Sequence, residues 1–547
     1  MKKILAILLF SFFVSLPVIL PFFHIGFFPT HDGEWAVVRL TDMFRALRDF
    51  QFPVRYSGEL NFGYGYPLFN FAYPFPYYLG VLIYLAGAGF VDAIKTIFAG
   101  SVFLSAFFMF LASKALWKNS WAGIISTVIY IYLPYRMVDL YVRGSIGESL
   151  SFVLFPLLIY LAVKLIKNPS ALLVGGIAFS LAILVTTHNI MTVLFMPVFI
   201  VFAMVQVILE NKKVIKPFVL SLALGLGISA FFWIPALLEK SHILLSKIPI
   251  ADRDLYFVTF NQLLLPRWGH GVPIDSDGFS YQLGLAQWII IFAVALFLLF
   301  AFVKGRHLFR EKAVKLAIAL IALILFFIFL LFKPSELIWS NTPLLSEINY
   351  PWTALAILGF LVSLLAGFLS KQLIGKYIVL VASIIAVLTV FPYAKPEYYV
   401  DKGDNYYLTN GATTTSSNEL MPLWVKKMPL QRPANKVELI SGQGKIENIF
   451  YNSKQVEFSI NALTQSRVRI NTIYFPGWKV KVDSDDVKIS YTNDQGVMDV
   501  HVSRGNHVVK ADFEETPLRL FSNTISLLAI IVIILLIILK NRLKFGR

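Results

Sequence analysis

A polytopic α-helical membrane protein is the fold class this sequence predicts, with about twelve full crossings, one partial segment and a β-sandwich before the last transmembrane helix. Three observations predict it. Hydrophobic residues make up 57% of the 547 and charged residues only 15%, whereas about a quarter of an ordinary soluble domain is charged. Apolar runs of roughly 20 residues, enough to cross a bilayer as a helix, recur from end to end. Residues 394–517 instead alternate polar and apolar side chains with the period of a strand.

Apolar segments fall near 4–23, 73–90, 96–112, 121–137, 149–166, 171–187, 190–209, 217–235, 285–303, 313–332, 351–369, 376–392 and 518–540. "MKK" and the run after it have the start of a signal peptide, but no small-residue cleavage site follows, so an uncleaved first helix is expected. The net charge of +16 resides mainly in short loops, "ENKKVIK", "KGRHLFREKAVK", "SKQLIGK" and the tail "KNRLKFGR". That is the positive-inside pattern, which orients a membrane chain and does not call for nucleic acid. Both termini are basic, so both are expected in the cytoplasm of a multi-pass plasma-membrane protein. An even number of crossings requires one segment not to cross. Residues 73–90, broken by "YPFPYY", Gly80, Gly87 and Gly89, read as that re-entrant or interfacial piece.

The expected domains are 1–393, transmembrane with an amphipathic first outer loop at 24–72; 394–517, an extracytoplasmic β-sandwich; and 518–547, a last helix with a basic cytoplasmic tail. The middle unit holds 15 Lys/Arg and 15 Asp/Glu. Its strand-like runs are "KVELIS", "QVEFSINA", "RVRINTIYF", "WKVKV", "VMDVHV" and "HVVKADF", parted by the turn signals "FPGW", "NDQG" and "SRGNH". "TNGATTTSSNE" reads as a polar loop ahead of them. No internal repeat and no low-complexity tract is found. The absence of cysteine excludes disulfides, thiolate metal sites and cysteine nucleophiles.

Polar residues that could do chemistry gather at outer helix ends. After Thr30, Trp35, Val38, Phe44, Leu47 and Phe50 fall near helical spacing with Arg39, Arg45 and Arg48 between them, as in an amphipathic helix lying in the headgroup layer. Asp32 stands at its N-terminal edge. It reads either as a helix cap or as a general base for an acceptor hydroxyl, with Glu34 or His31 orienting it or binding a metal. "YVRGSIGESL" supplies Asp139, Arg143 and Glu148. Arg143 suits a phosphate, and the bland reading is an Arg143–Glu148 structural pair. His188 in "VTTHNIM" and Glu239 in "WIPALLEKSHI" sit at further outer helix ends, where a structural role is the competing reading. "GELNFGYGYPLFNFAYPFPYY" is either an interfacial aromatic belt or a floor for stacking sugars and isoprenoids. The long outer loop 261–284, with Arg267, His270, Asp275 and Asp277, either covers a site or only connects helices. "GLGISA" mimics a dinucleotide fingerprint but lies inside a span with no preceding strand, and no Walker lysine loop, HExxH or zinc spacing occurs.

The ordered set "GYGYPLFNFAYPFPYYLG", "YVRGSIGES", "TTHN", "FWIPALLEK", "YPWTALAILG" and "YFPGWKVKVD", after an acidic first outer loop, resembles a bacterial family. It is the group labelled 6-pyruvoyl-tetrahydropterin-synthase-related, akin to YfhO-type proteins, which look like members of the GT-C superfamily of glycosyltransferases. The pterin label does not carry over, since the zinc-binding histidines of that chemistry are missing. The resemblance implies a GT-C-like fold. It also implies transfer of a sugar from a polyprenyl-phosphate-linked donor to a cell-envelope glycan, lipid or protein acceptor on the outer face, with inversion. Asp32 in "HDGE" occupies the place of the essential first-loop acid. The usual adjacent acid is replaced by Gly33, so Glu34 is the next candidate, and a divalent cation stays an open expectation. Arg143 and His188 would hold the donor phosphate, with His31, Glu148 and Glu239 in support. The alternative is a non-enzymatic glycolipid or polysaccharide transporter or envelope-assembly protein, for which charges in mid-helix and repeated helices would be expected. A third reading makes the membrane part a mere anchor for a glycan-binding β-domain.

Overall fold

The computed structural model describes residues 2–271, 278–372 and 374–539. Asp275 and Asp277 and the tail "KNRLKFGR" lie outside the described residues.

Among the described residues, nine helices are long and apolar enough to cross a membrane: Lys2–Phe23, Phe90–Trp117, Ile146–Lys167, Asn189–Glu210, Leu285–Val303, Lys312–Leu330, Pro351–Leu369, Gly375–Tyr393 and Pro517–Ile538. The pair Lys212–Ile228 and Ala230–His242 is bent by 67° and makes a tenth if it is one span. The protein is a multi-pass membrane protein. The chain bends at Ser229, whose hydroxyl returns to the Gly225 carbonyl at 3.0 Å, while the Phe231 amide is taken by the Ser526 hydroxyl at 2.8 Å. Side-chain hydroxyls thus satisfy backbone groups that a straight helix would pair internally.

The expected twelve full crossings are not all helices of spanning length. Phe75–Leu85, Ser120–Ile131 and Ala171–Thr187 have only 10–17 residues. Ser120–Ile131, with 12 residues, rises roughly 18 Å against a hydrocarbon core of about 30 Å. The apolar run continues past it, but Pro134 pushes Leu133 into extended geometry and ends the helix there. Phe75–Leu85, the helix within the segment expected not to cross, is bounded by Pro74 and by Gly87 at φ +106°.

The helix Pro351–Leu369 runs through the middle of the bundle with every residue buried. At one end of the bundle lie Lys118, Lys164, Lys167 and the Lys312–Glu210 pair. The opposite end, reached along Phe90–Trp117, carries the first loop and the β-domain; there Asp404 accepts the Phe90 and Val91 amides at 2.9 and 3.2 Å.

The β-domain comprises β1 (Val437–Ser441), β2 (Gly444–Tyr451), β3 (Gln455–Ala462), β4 (Ser466–Ile473), β5 (Trp478–Val482), β6 (Asp485–Val487), β7 (Val497–Val502) and β8 (Gly505–Phe513). They form two antiparallel sheets, ordered β1-β4-β7 and β2-β3-β8-β5-β6. The alternation in "QVEFSINA" works as expected, burying Val456, Phe458 and Ile460, opposite Val468, Ile470 and Val500. β2 and β6 went unread: β2 is an edge strand exposed on nearly every residue, so it shows no alternation.

Residues 400–414, ahead of β1, form a strap across the first loop: Val400 and Phe27 exchange backbone hydrogen bonds at 3.0 and 2.7 Å, and Thr414 receives Arg39 Nε at 3.0 Å. Residues 424–436 add no strand but pack on the sandwich, where Trp424 Nε1 donates to the Tyr474 carbonyl at 2.9 Å and the Lys426 amide to the Asp494 carbonyl at 2.8 Å. The Gly33–Arg48 helix forms as expected, but Val37, Val38, Leu40, Met43 and Ala46 are all buried in protein. It is therefore an internal element and not a helix floating in the headgroup layer. Arg39, read as part of its polar face, is held between Thr414 and the Tyr77 hydroxyl.

Candidate active site

The first loop reaches the site by pairing with the chain ahead of Ile146–Lys167. The His31 amide donates to the Val142 carbonyl at 3.0 Å and the Asp32 amide to the Arg143 carbonyl at 2.8 Å. Glycine permits the approach: Gly144 has φ +64°, and a Cβ there would lie 2.2 Å from Thr30 Oγ1.

Asp32 occupies the N-cap position of Gly33–Arg48 but does not cap. The Gly33 amide goes instead to Thr30 Oγ1 at 2.9 Å. Among the described residues the half-buried Asp32 carboxylate has no hydrogen bond and no ion pair, yet its charge acts on Arg143, Asp139, His31, Tyr73 and Tyr77. The capping reading is thereby set aside.

Arg143 closes a π-type turn, Asp139–Arg143. Its Nη1 donates to buried Glu148 and to the Tyr135 hydroxyl at 3.2 Å. Its guanidinium carbon lies 4.6 Å from the Trp352 ring centroid, a cation–π contact. Nε and Nη2 have no hydrogen-bond partner among the described residues, so the structural pair with Glu148 leaves donors for an anion. Glu148 also accepts from the Tyr135 hydroxyl at 2.6 Å. Asp139, fully buried, has Arg136 at 3.7 Å and no hydrogen bond on either oxygen among the described residues. Burial and then the Glu148 charge push its carboxyl well above the usual range.

His188 begins the Asn189–Glu210 helix. Its Nδ1 accepts the Met191 amide at 3.2 Å, and its ring stacks on Tyr73 with centroids 5.2 Å apart. Burial, then the Arg143 charge, pushes its pKa down to about 3. A neutral ring that accepts at Nδ1 carries its proton on Nε2, so the His188 ring offers a neutral Nε2–H donor and no positive charge. His31 is also held neutral, chiefly by burial. Its Nε2 lies 3.4 Å from the His270 carbonyl and its ring 6.0 Å from Phe279, so two described residues of loop 261–284 flank His31.

Asp32, His31, Arg143, Glu148 and His188 are thus brought together, and two other candidates are engaged elsewhere. Glu34 accepts from Lys402 Nζ at 2.8 Å and from the Tyr407 hydroxyl at 3.2 Å, fastening the strap. Glu239 accepts from Arg519 Nε and Nη2, both at 3.0 Å, and from Asn70 at 2.7 Å; it joins the bent helix to the last one. No group of three or more His, Asp or Glu that could hold a metal occurs among the described residues. Tyr73, Tyr77, Tyr135 and Trp352 went unassigned by sequence reasoning, although "YPFPYY" and "YPWTALAILG" contain three of them.

No family model matches the chain. An uncharacterized protein of Lactococcus lactis subsp. cremoris (strain MG1363) is 23% identical over 234 residues, which are 41% of this chain and 38% of that protein. The chain thus matches well under half the length of this curated relative. The apo oligosaccharyltransferase of Archaeoglobus fulgidus shares 13% identity at a TM-score of 0.41, over 77% of this chain and 61% of that one. The archaeal oligosaccharyltransferase AglB of the same organism, solved with an inhibitory peptide and a dolichol-phosphate, gives 12% and 0.39 over 75% and 56%.

Proposed function

We propose that this chain is a GT-C-type membrane glycosyltransferase that moves a sugar from a polyprenyl-phosphate-linked donor to an acceptor hydroxyl on a cell-envelope glycan, lipid or protein. The observation that carries the reading is the Asp32 carboxylate, fixed by its backbone to Arg143 and without a partner among the described residues. A charged group left unpaired beside an arginine with spare donors is costly in a merely structural role and useful in a chemical one.

Asp32 takes the proton of the acceptor hydroxyl. The freed oxygen bonds to the anomeric carbon as the bond to the donor phosphate oxygen breaks, and that oxygen keeps the electron pair. Arg143, through Nε and Nη2, and His188, through Nε2–H, receive the growing charge. One base and no protein nucleophile gives inversion. Holding acceptor and lipid-borne donor together removes up to roughly 7–11 kcal/mol of entropic barrier. A divalent cation would find Asp32 but no assembled ligand set among the described residues, and no step is assigned to one.

The clustering of these groups at helix ends supports surface chemistry over the mid-helix path of a transporter. The lysines at the other end of the bundle support a cytoplasmic reading of that end, and with it an outer position for the site and the β-domain.

The test supplies membranes bearing wild type or Asp32→Asn with a polyprenyl-phosphate donor carrying a radiolabelled sugar. Transfer should fall at least about 100-fold at unchanged protein level and melting temperature. Retained transfer removes Asp32 as the base.

A further inference from the structure

An open groove of about 780 Å³ lies between the end of Lys2–Phe23 and the end of Gly375–Tyr393. Its volume is in the range of sites that hold a sizeable ligand. Leu20, Phe23, Phe391, Pro392 and Tyr399 wall it, and Lys395 stands among the lining residues. Leu20, Phe23 and Phe391 are each more than half exposed, as suits surface that faces lipid. Asp32, Arg143 and His188 do not line it.

The order of chemistry along the groove is informative. Both bounding helices are membrane spans by length and hydropathy. Lys395 lies two residues past the end of one, and His24 one residue past the end of the other. The groove is thus apolar where the spans are and carries a lysine where they stop, at the level of headgroups. Lys395 has no ion pair or hydrogen bond among the described residues. The other lysine near the groove, Lys95, is held by Asp92 at 3.0 Å and by the His24 carbonyl at 2.8 Å. Glu397, two residues on from Lys395, has no ion pair or hydrogen bond among the described residues, does not line the groove and acts on His270. The His24 ring is stacked on Tyr399 at 3.7 Å and Tyr399 donates to the Pro21 carbonyl at 3.2 Å, which ties this wall to the end of the first helix.

We propose that this groove is a binding site for one anionic glycerophospholipid, its acyl chain between the two helix ends and its phosphate on Lys395. The inference does not rest on the glycosyltransferase reading. It has a structural consequence, because the groove's wall continues into the strap. Tyr399 is followed by the Val400–Phe27 pairing and then by Lys402, which holds Glu34 beside Asp32. A seated lipid braces that strand from outside.

The experiment reconstitutes the full chain in nanodiscs of equimolar phosphatidylglycerol and phosphatidylcholine and counts lipid adducts by native mass spectrometry. Wild type should keep one phosphatidylglycerol about fivefold over phosphatidylcholine, as one unpaired lysine near the surface implies. Lys395→Glu should abolish that preference, and Leu20→Trp, which fills the groove, should remove the adduct of either lipid. Equal retention of both lipids by wild type, or an unaltered preference in Lys395→Glu, overturns the proposal. So does one-for-one displacement of phosphatidylglycerol by added polyprenyl phosphate, which would make the groove a seat for the donor's tail.

Discussion

The Asp32 amide donates to the Arg143 carbonyl at 2.8 Å, which joins the first loop to the turn ahead of Ile146–Lys167. That bond places a carboxylate and a guanidinium in one site without letting them pair. Arg143 spends Nη1 on Glu148 and Tyr135, and Asp32 is left for another partner. The arrangement separates the roles of the residues at this end of the bundle, and each can be tested alone.

Arg143 has a structural and a chemical role that substitution can part. Removing the guanidinium leaves the fully buried Glu148 without its partner, which should cost about 3–5 kcal/mol. Arg143→Met alone should therefore lower the melting temperature sharply. Arg143→Met with Glu148→Leu should recover most of it and still transfer no sugar. Recovery of both stability and transfer would reduce Arg143 to its pairing role.

The pH dependence of stability should carry a His188 component. Its folded pKa of about 3 lies below the ordinary 6.5, so below about pH 6.5 the unfolded chain takes up a proton that the native chain refuses. Stability then falls as pH drops, by at most about 1.4 kcal/mol per unit, until the folded pKa is reached. Asp42 opposes this: burial raises it to about 6 from 3.8, so it gains stability as pH falls through 6. The measurement is therefore a difference, wild type minus His188→Asn, by thermal melts in detergent between pH 7 and 5. A difference that stays constant across that window would contradict a neutral His188.

How much of this was readable beforehand varies by element. The apolar runs announced a bundle, and the alternation of "QVEFSINA" announced the sandwich, because each pattern answers to one solvent boundary. The helix count was not readable, since Pro134 and Ser229 interrupt runs whose hydropathy continues unbroken. Asp32, Arg143 and His188 stood out as polar residues at helix ends. The fates of Glu34 and Glu239 were hidden, because their partners Lys402 and Arg519 lie 368 and 280 residues away. Spacing along a chain shows which charges share a helix face, and it is silent on pairs made by the tertiary fold.

Glu34, though the nearest acid to Asp32, should be dispensable as a base. Its carboxylate and Lys402 Nζ are each about 30% exposed or less, and a pair of that kind stabilises by about 0.2–1 kcal/mol. Glu34→Gln should melt within a few degrees of wild type and keep sugar transfer within about tenfold. A loss as large as that of Asp32→Asn would give Glu34 a share of the proton transfer.

Glu239 should behave as a joint. Arg519 is fully buried, stacked against Phe475 and Phe513 at 5.4 and 5.3 Å, and its charge is met by Glu239. Glu239→Ala leaves that guanidinium uncompensated and should destabilise by about 3–5 kcal/mol, while the protein that remains folded keeps its KM for donor. Glu239→Ala with Arg519→Met should restore melting. A raised donor KM at unchanged stability would return Glu239 to the site.

Gly144→Ala tests the seam on which the whole site depends. The new methyl would sit 2.2 Å from Thr30 Oγ1 and 2.9 Å from the Gly33 amide, on a backbone at φ +64°. Left-handed geometry costs an alanine about 1–2 kcal/mol before any clash is counted. The clash itself falls on the segment that holds Asp32 against Arg143, so transfer should drop further than stability does. Thr30→Ala in the same chain removes the nearer obstacle and should recover part of the transfer, although the backbone strain remains. If Gly144→Ala melts lower but transfers sugar at the wild-type rate, the pairing of residues 31–32 with 142–143 is not what positions the base.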